Sequence, residues 1–260
     1  MRRRRRFTPW WSPLAAAALL LVLCAPARAL AGARAHAFVQ GTDSLPETGL
    51  EIENWFGASI PRHGGAATWE WWLGPVVGLT DHLEAGLFAL FYQVPGLPPL
   101  MPGGPKTEPA FVFSSLRLQG SWLLADKAAW PVDVRIRLEL AMPVDGDAPW
   151  ETWLSAFVAR DLWRFNFTLN AGAWLELSEE EGVTPYYYAA LGASFEVITG
   201  YRIGAEVWAQ AEGAFVEPQL AAGPSVALGL GRFWLAAALG FGAGEESPAL
   251  RGRLVLGVVL

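Results

Sequence analysis

The sequence predicts an all-β protein, a closed antiparallel transmembrane β-barrel of about 12 strands with short periplasmic turns and longer outer loops. Between Val132 and Met142, apolar residues alternate with Asp133, Arg135, Arg137 and Glu139, as expected of a strand with one apolar and one charged face. The chain is 53% hydrophobic with a mean hydropathy of +0.27, yet beyond the N-terminus no apolar run reaches the about 20 residues of a spanning helix. Its 14 tryptophans fit aromatic belts at two membrane interfaces.

The N-terminus has the three parts of a secretory signal peptide. Arg2–Arg6 form a basic start, Leu14–Leu23 form an apolar core, and small residues allow cleavage after Ala29 or Ala31. The only cysteine, Cys24, lies within this region, so we expect a mature chain without disulfides. The predicted division of the chain is a signal peptide over residues 1–31, a short, flexible periplasmic lead over 32–48 and the barrel over 49–260.

Twelve stretches of the chain show the alternation expected of strands. They lie at about 49–59, 67–79, 83–94, 116–122, 132–142, 150–160, 165–177, 186–197, 201–210, 219–230, 233–243 and 250–260. Alternation is weakest in the tenth and eleventh, which are rich in glycine and alanine. An even number of strands, each near the about 9–11 residues of a tilted membrane strand, favours the barrel.

The connections between these stretches alternate in kind. Short turns are predicted at Asp81, Asp126, Asp161, Thr199 and Gly231, whereas the other connections are longer and most end in proline. Short turns at one end and long loops at the other are typical of outer-membrane barrels, whose short side is periplasmic. Both termini are therefore expected on the periplasmic side.

Two stretches resemble a known family. The run from Gly78 to Leu87, GLTDHLEAGL, resembles the strand–turn–strand phrase of Gram-negative outer-membrane barrels of the MetA-pathway (phenol degradation) type. The final amphipathic strand, Leu250 to Leu260, resembles the terminal signal read by the outer-membrane assembly machinery. The resemblance implies an outer-membrane barrel that works as a solute channel, and it implies no catalytic residues.

Charged residues on the polar faces are candidates for the lining of a pore. Glutamates come mainly from the first three strands and arginines from the next three, which would place acid on one wall and base on the other. Alternatively, the same residues pair with one another and seal the interior. The predicted lining set is Glu53, Glu70, Glu84, Arg117, Arg135, Arg137, Arg160 and Glu206.

Aromatic residues on the same faces either narrow the lumen or form a path for apolar solutes, and filling is the simpler interpretation. These inward candidates are Trp55, Trp72, Tyr92, Trp174, Tyr186, Tyr188 and Trp208.

Enzymatic chemistry finds little support in the sequence. The three histidines, His36, His63 and His82, have no nucleophile or metal-ligand motif beside them. We therefore expect no enzyme, no cofactor and no metal centre. A net charge of −6 without a basic patch also argues against nucleic acid as a partner. Expected partners are outer-membrane lipids, the barrel assembly machinery and small solutes.

Two functions follow from the predicted fold. The first is a passive channel for small solutes, lined by the Glu and Arg sets. The alternative is a closed structural or adhesive barrel that works through outer loops, chiefly residues 95–109 and 178–185. A lipid-modifying enzyme that uses His63, and a soluble exported β domain, are weaker hypotheses.

Overall fold

A computed structural model shows twelve antiparallel strands hydrogen-bonded in sequence order, with β1 paired to β12 so that the sheet closes into a barrel. It describes residues 34–64, 66–93, 112–144, 148–178, 182–213 and 216–260. The strands are β1 Leu50–Ile60, β2 Thr68–Gly78, β3 Leu83–Tyr92, β4 Val112–Leu123, β5 Asp133–Pro143, β6 Trp150–Leu162, β7 Phe165–Ser178, β8 Gly182–Ile198, β9 Tyr201–Glu212, β10 Val216–Leu230, β11 Phe233–Ala243 and β12 Leu250–Val259. The predicted fold class and strand number are confirmed. The predicted signal peptide lies outside the described residues.

The barrel is inside-out relative to a soluble domain. Leu118, Leu138 and Leu154 are 45%, 60% and 59% exposed, whereas Arg137 and Glu84 are 2% and 4% exposed. A soluble domain buries its leucines and exposes its charges. The opposite distribution suits a barrel whose outer wall faces lipid and whose interior is polar.

Outward aromatic side chains gather near both ends of the wall, as the tryptophan count predicted. Phe56, Trp71, Phe91 and Phe113 form a stacked row at one end, with ring centroids 5.0–5.8 Å apart. Near the other end lie Trp122, Trp130, Trp163, Phe165 and Phe195. Two aromatic girdles that flank an aliphatic band are the usual arrangement at the two interfaces of a membrane barrel.

The two ends of the barrel differ in their connections. At one end, here the short-turn end, the start of β1 meets the end of β12, because Glu51 of β1 pairs with Val259 of β12. Three connections there are two-residue turns, at 163–164, 199–200 and 231–232, while residues 124–132 form a longer one. The opposite end, here the loop end, carries the connection between β3 and β4, whose residues 94–111 lie outside the described residues. Among the described residues, no helix is long and apolar enough to cross a membrane.

Prolines interrupt the hydrogen-bond ladder without opening the sheet. Pro143 is the last residue of β5. Pro224 in β10 pairs with Ala205 of β9, while the β10–β11 ladder skips from Ala222 to Ser225 without a shift of register. Because proline has no N–H to donate, it fits a sheet only where one side of the ladder is interrupted.

Candidate channel lumen

Seven of the eight predicted lining residues face the lumen. Six of them are at most 5% exposed, and Glu70 is half-buried. The seven are Glu53, Glu70, Glu84, Arg117, Arg135, Arg137 and Glu206. The seven predicted aromatic residues also occupy inward positions of their strands.

Arg160 is the exception, and its predicted place in the lumen is corrected here. On β6, Phe157 and Ala159 are buried inward residues, so Arg160 falls on the outward side of the pleat. Its cross-strand neighbour is Phe167, which is 42% exposed on the outer wall. A strand has period two, so the inward set of β6 is fixed by its odd-numbered residues and excludes Arg160.

Most of the inward arginines of the described residues form local pairs with carboxylates. Burial of an isolated ion is costly, so a charged interior requires partners within hydrogen-bond distance. The pairs are Arg34–Glu53 at 2.6 Å, Arg117–Glu139 at 3.1 Å, Arg117–Glu151 at 2.9 Å, Arg137–Glu139 at 3.4 Å, Arg253–Glu70 at 3.3 Å, and Arg135–Glu84. Arg117 pairs with carboxylates of β5 and β6, within its own wall, and this arrangement differs from the predicted segregation into an acidic and a basic wall.

Residues 34–48, here called the plug, lie inside the short-turn end of the barrel, where the sequence predicted a flexible lead. His36, Val39 and Thr42 are at most 1% exposed. The plug has no helix or strand of its own. A buried backbone must still satisfy its N–H and C=O groups, so the plug depends on polar side chains of the barrel wall.

Glu206 of β9 supplies the densest of these contacts. Its carboxylate accepts three successive backbone N–H groups, from Ala37 at 2.8 Å, Phe38 at 2.6 Å and Val39 at 2.8 Å. Hydrogen bonds to a charged acceptor are shorter and stronger than those between neutral groups. Glu206 was predicted to line a pore, but it anchors the plug.

Asparagines of β7 hold the next part of the plug. Asn170 binds Gln40 twice, because its Oδ1 accepts from the backbone N–H at 2.6 Å and its Nδ2 donates to the backbone C=O at 2.8 Å. The ring of His36 lies 3.0 Å from Asn166 Oδ1. An amide side chain offers the same kinds of donor and acceptor as a peptide group, so Asn170 makes the two hydrogen bonds to Gln40 that the backbone of a paired strand would otherwise make.

The plug then crosses the lumen towards β5 and β3. Arg135 donates to the backbone C=O of Asp43 at 2.6 Å, and Leu45 N–H donates to Glu84 at 3.0 Å. Thr48 N–H donates to Gly78 C=O at 2.9 Å, where the chain enters β1. The plug therefore contacts strands on several sides of the barrel and closes the short-turn end.

Two groups outside the strands, His36 and Lys127, have shifted pKa values. Burial lowers the pKa of His36, although the Glu206 carboxylate and the Asn166 hydrogen bond oppose the shift. Burial alone would also lower the pKa of Lys127, but the carboxylate of Asp43 raises it overall. His36 therefore favours its neutral form in the docked plug, while Lys127 favours its charged form beside Asp43.

Small residues on one wall make room for the plug. Ala227, Ala236 and Ala238, on β10 and β11, pack against Ala37 and Phe38. These small inward residues explain the weak alternation of the two strands in the sequence, because glycine and alanine differ little in hydrophobicity from the outward residues beside them. Space beside a wall of small residues would otherwise be empty, which protein interiors avoid.

We expect Gly192→Ala to loosen the plug. A Cβ at this position would lie 2.8 Å from the His36 ring. Overpacking of this kind costs about 1–3 kcal/mol, or about a tenfold change in the docking equilibrium.

The reporter is Thr42→Cys, whose modification rate by a water-soluble maleimide measures plug opening in a chain that has no other cysteine after Cys24. Gly120→Ala is the matched control, since a Cβ there meets nothing within 4 Å. Equal labelling rates in the two variants would contradict this role for Gly192.

Towards the loop end the lumen contains a cavity of about 240 Å³. Phe38 and Gln40 of the plug line it, so the plug forms its floor. Tyr92, which is 42% exposed, stands at the loop-end rim. The lumen is thus filled at the short-turn end and hollow above the plug.

Aromatic rings and arginines line this cavity together. Trp153 and Trp174 stack with centroids 4.2 Å apart at an angle of 9°, and Trp174 stacks on Tyr186 at 4.6 Å and 7°. The guanidinium of Arg117 lies 4.3 Å from the Trp72 ring centroid and 5.0 Å from that of Trp153. These cation–π contacts help to hold the Arg117 guanidinium in place while its N–H groups bind Glu139 and Glu151.

Several residues of the site were missed from the sequence. Arg34 belongs to the plug and Asn170 binds it. Trp153 extends the aromatic row, and Arg251 and Arg253 line the cavity. Arg251 and Arg253 stand on the polar face of the last strand, and that alternation was a usable signal. No group of three or more His, Cys, Asp or Glu side chains suited to a metal occurs within the described ranges.

Comparison with known proteins supports the fold. No protein-family model matches the sequence, and no curated protein matches it. The outer membrane channel from Pseudomonas putida F1 is similar in structure, with a TM-score of 0.57 and 13% identity over 84% of this chain and 97% of that one. The KdgM porin has a TM-score of 0.51 and 8% identity over 80% of this chain and 98% of that one.

A third similar structure is the translocator domain of the autotransporter NalP from Neisseria meningitidis. Its TM-score is 0.51, with 12% identity over 81% of this chain and 88% of that one. At these identities the likeness establishes the fold alone. It confirms the predicted resemblance to outer-membrane barrels.

Proposed function

We propose that this protein is an outer-membrane channel for small solutes, whose short-turn end is closed by the plug. The observation that carries the proposal is the cavity above Phe38 and Gln40, enclosed by a barrel with an apolar outer wall. A barrel that served only as an anchor would need no hollow interior. The two similar structures described as a channel and a porin agree with this function.

The membrane orientation and partners belong to the same proposal. The aliphatic band between the two aromatic girdles would contact outer-membrane lipids, and the short-turn end would face the periplasm. The N-terminal signal would export the chain, and the barrel assembly machinery would insert it. Solutes would then enter from the loop end and meet the plug before they could leave.

The charges along this route are the pairs beside the cavity. Arg117 with Glu151, and Arg253 with Glu70, line the cavity, whereas Arg135 and Arg137 do not. The finer hypothesis of a lumen lined by Glu and Arg therefore concerns the first two pairs. We expect them to influence ion selectivity more than Arg135 and Arg137 do.

Planar-bilayer conductance at two salt concentrations tests the channel. We expect small or rare steps from the mature wild-type protein and larger steps, which scale with salt, from Glu206→Ala, because this change removes the plug's main anchor. Glu212→Ala, at an exposed position of the same strand, is the matched control. If both variants are silent although their incorporation is verified, the channel hypothesis is wrong.

The filled short-turn end favours the second candidate, a closed structural or adhesive barrel. In that case the function would belong to the outer loops, of which residues 95–109 and 179–181 lie outside the described residues. Deletion of these loops would then abolish partner binding while the barrel still assembles. Silent bilayers together with loop-dependent binding would support this alternative.

A further inference from the structure

We propose that the cavity above the plug binds a small aromatic carboxylate, with its acid group on Arg251 and its ring against the Trp153–Trp174 row. This inference rests on the proposed channel function and names the class of solute. Three features carry it: an arginine without a carboxylate partner, the orientation of the aromatic row, and the size of the cavity.

Arg251 differs from the other lumen arginines. In the described part of the lumen, Arg34, Arg117, Arg135, Arg137, Arg202 and Arg253 each have a carboxylate within 4.0 Å. Among the same residues, Arg251 has none. It lines the cavity from β12, and the Glu70 carboxylate, which also lines the cavity, pairs with Arg253. A partly buried cation without a counter-ion favours an anion from outside.

The position of Arg251 suits a planar acid. Its guanidinium carbon lies 4.0 Å from the ring centroid of Trp208, which is a cation–π contact. This contact uses none of the guanidinium N–H groups as a hydrogen bond to a carboxylate, and their planar arrangement matches the two oxygens of such a group. The opposite carboxylate, Glu176, accepts hydrogen bonds from Trp174 and Tyr186 and so has partners of its own.

Trp153 and Trp174 of the aromatic row line the cavity and present ring edges to it. Trp153, Trp174 and Tyr186 stand on adjacent strands, and their rings are parallel at 4.2–4.6 Å, close to the about 4.8 Å between strands. Parallel rings at that spacing stand perpendicular to the wall. Ring edges carry partial positive charge and attract the electron-rich face of another ring. An aromatic solute lying flat against the wall satisfies this preference.

The size of the cavity suits a small solute such as a single ring. Its volume of about 240 Å³ is below the about 300–1,000 Å³ of pockets for drug-sized ligands. Benzoate is therefore a suitable probe. Benzyl alcohol has the ring without the charge, and acetate has the charge without the ring.

Equilibrium titration of the detergent-solubilised mature protein, by calorimetry, tests the site without any need for conduction. We expect benzoate to bind more tightly than benzyl alcohol and acetate, and Arg251→Gln to weaken benzoate by about tenfold or more. Arg160→Gln, which removes an outward arginine, is the matched control and should leave binding unchanged. Arg251→Lys keeps the charge but loses the planar edge, so it should fall between the two.

Two results would overturn the site: benzoate that binds no better than benzyl alcohol in the wild type, or Arg251→Gln that binds benzoate as tightly as Arg160→Gln. The wild-type comparison decides the matter even if Arg251→Gln does not fold. Benzoate binding in a protein that is silent in bilayers would support the binding site and contradict the channel function. Conduction without benzoate binding would support the channel function and contradict the binding site.

Discussion

Replacement of Glu206 by alanine is expected to release the plug. Three successive N–H groups, from Ala37, Phe38 and Val39, would lose a charged acceptor at once. Each such bond contributes about 1.5–3 kcal/mol, and even after water replaces part of that, a loss of about 3 kcal/mol shifts the docking equilibrium about 100-fold. The measurement is the maleimide labelling rate of Thr42→Cys, a position that is 1% exposed in the docked plug.

The same experiment separates anchoring from a general loss of folding. Glu206→Gln keeps one acceptor oxygen and should open the plug less than the alanine variant does. Glu212→Ala removes a carboxylate from the same strand at an exposed position away from the plug and should label like the wild type. Strand content by circular dichroism should be unchanged in all three. If Glu206→Ala labels no faster than Glu212→Ala, the plug is held by other contacts.

Arg135→Ala is expected to cost the barrel about 3–5 kcal/mol of unfolding free energy. Arg135 and Glu84 form a buried pair, and both also bind the plug, through Asp43 and Leu45. Removal of the arginine leaves the Glu84 carboxylate buried with one backbone donor, and an unpaired buried charge is far more costly than an absent pair. Urea unfolding in lipid vesicles, followed by tryptophan fluorescence, measures the change.

Two further variants show whether the pair itself is the cause. Arg135→Met combined with Glu84→Leu removes both charges, so it should regain most of the lost stability. Arg160→Ala changes an arginine on the outer wall and should stay within about 0.5 kcal/mol of the wild type. A single variant Arg135→Ala that is no less stable than Arg160→Ala would show that Glu84 has another way to be neutralised.

The fold was predictable because its signal is local. Alternation, turn positions and strand length are properties of neighbouring residues, and they gave twelve strands and the correct inward aromatic residues. Arg160 shows where a prediction from neighbouring residues fails. The inward face of β6 is identified by its buried residues, whereas the charge of Arg160, next to a turn, suggested an inward position. The sequence around Arg160 does not show whether odd- or even-numbered residues of β6 face the lumen.

The plug could not be found by such signals. Residues 34–48 have neither helical nor strand periodicity, and their partners Asn170 and Glu206 stand far along the chain. The nearest usable sign was the small inward residues of β10 and β11, which leave space that something must fill. Pairing between the inward charges was predicted as one of two alternatives. Which residues pair depends on which strands are neighbours and on how far each side chain extends, and both are set only when the barrel closes.

The contacts of Glu206 also set an order of events during folding. Ala37 and Glu206 are 169 residues apart in sequence, and Asn170 is 130 residues from Gln40. Closing such long loops before any contact is gained is entropically costly, so contacts of this kind form late. The plug cannot dock fully until β7, β8 and β9 have paired, and the β1–β12 seam then encloses it. The first described residues to be synthesised are therefore among the last to reach their partners.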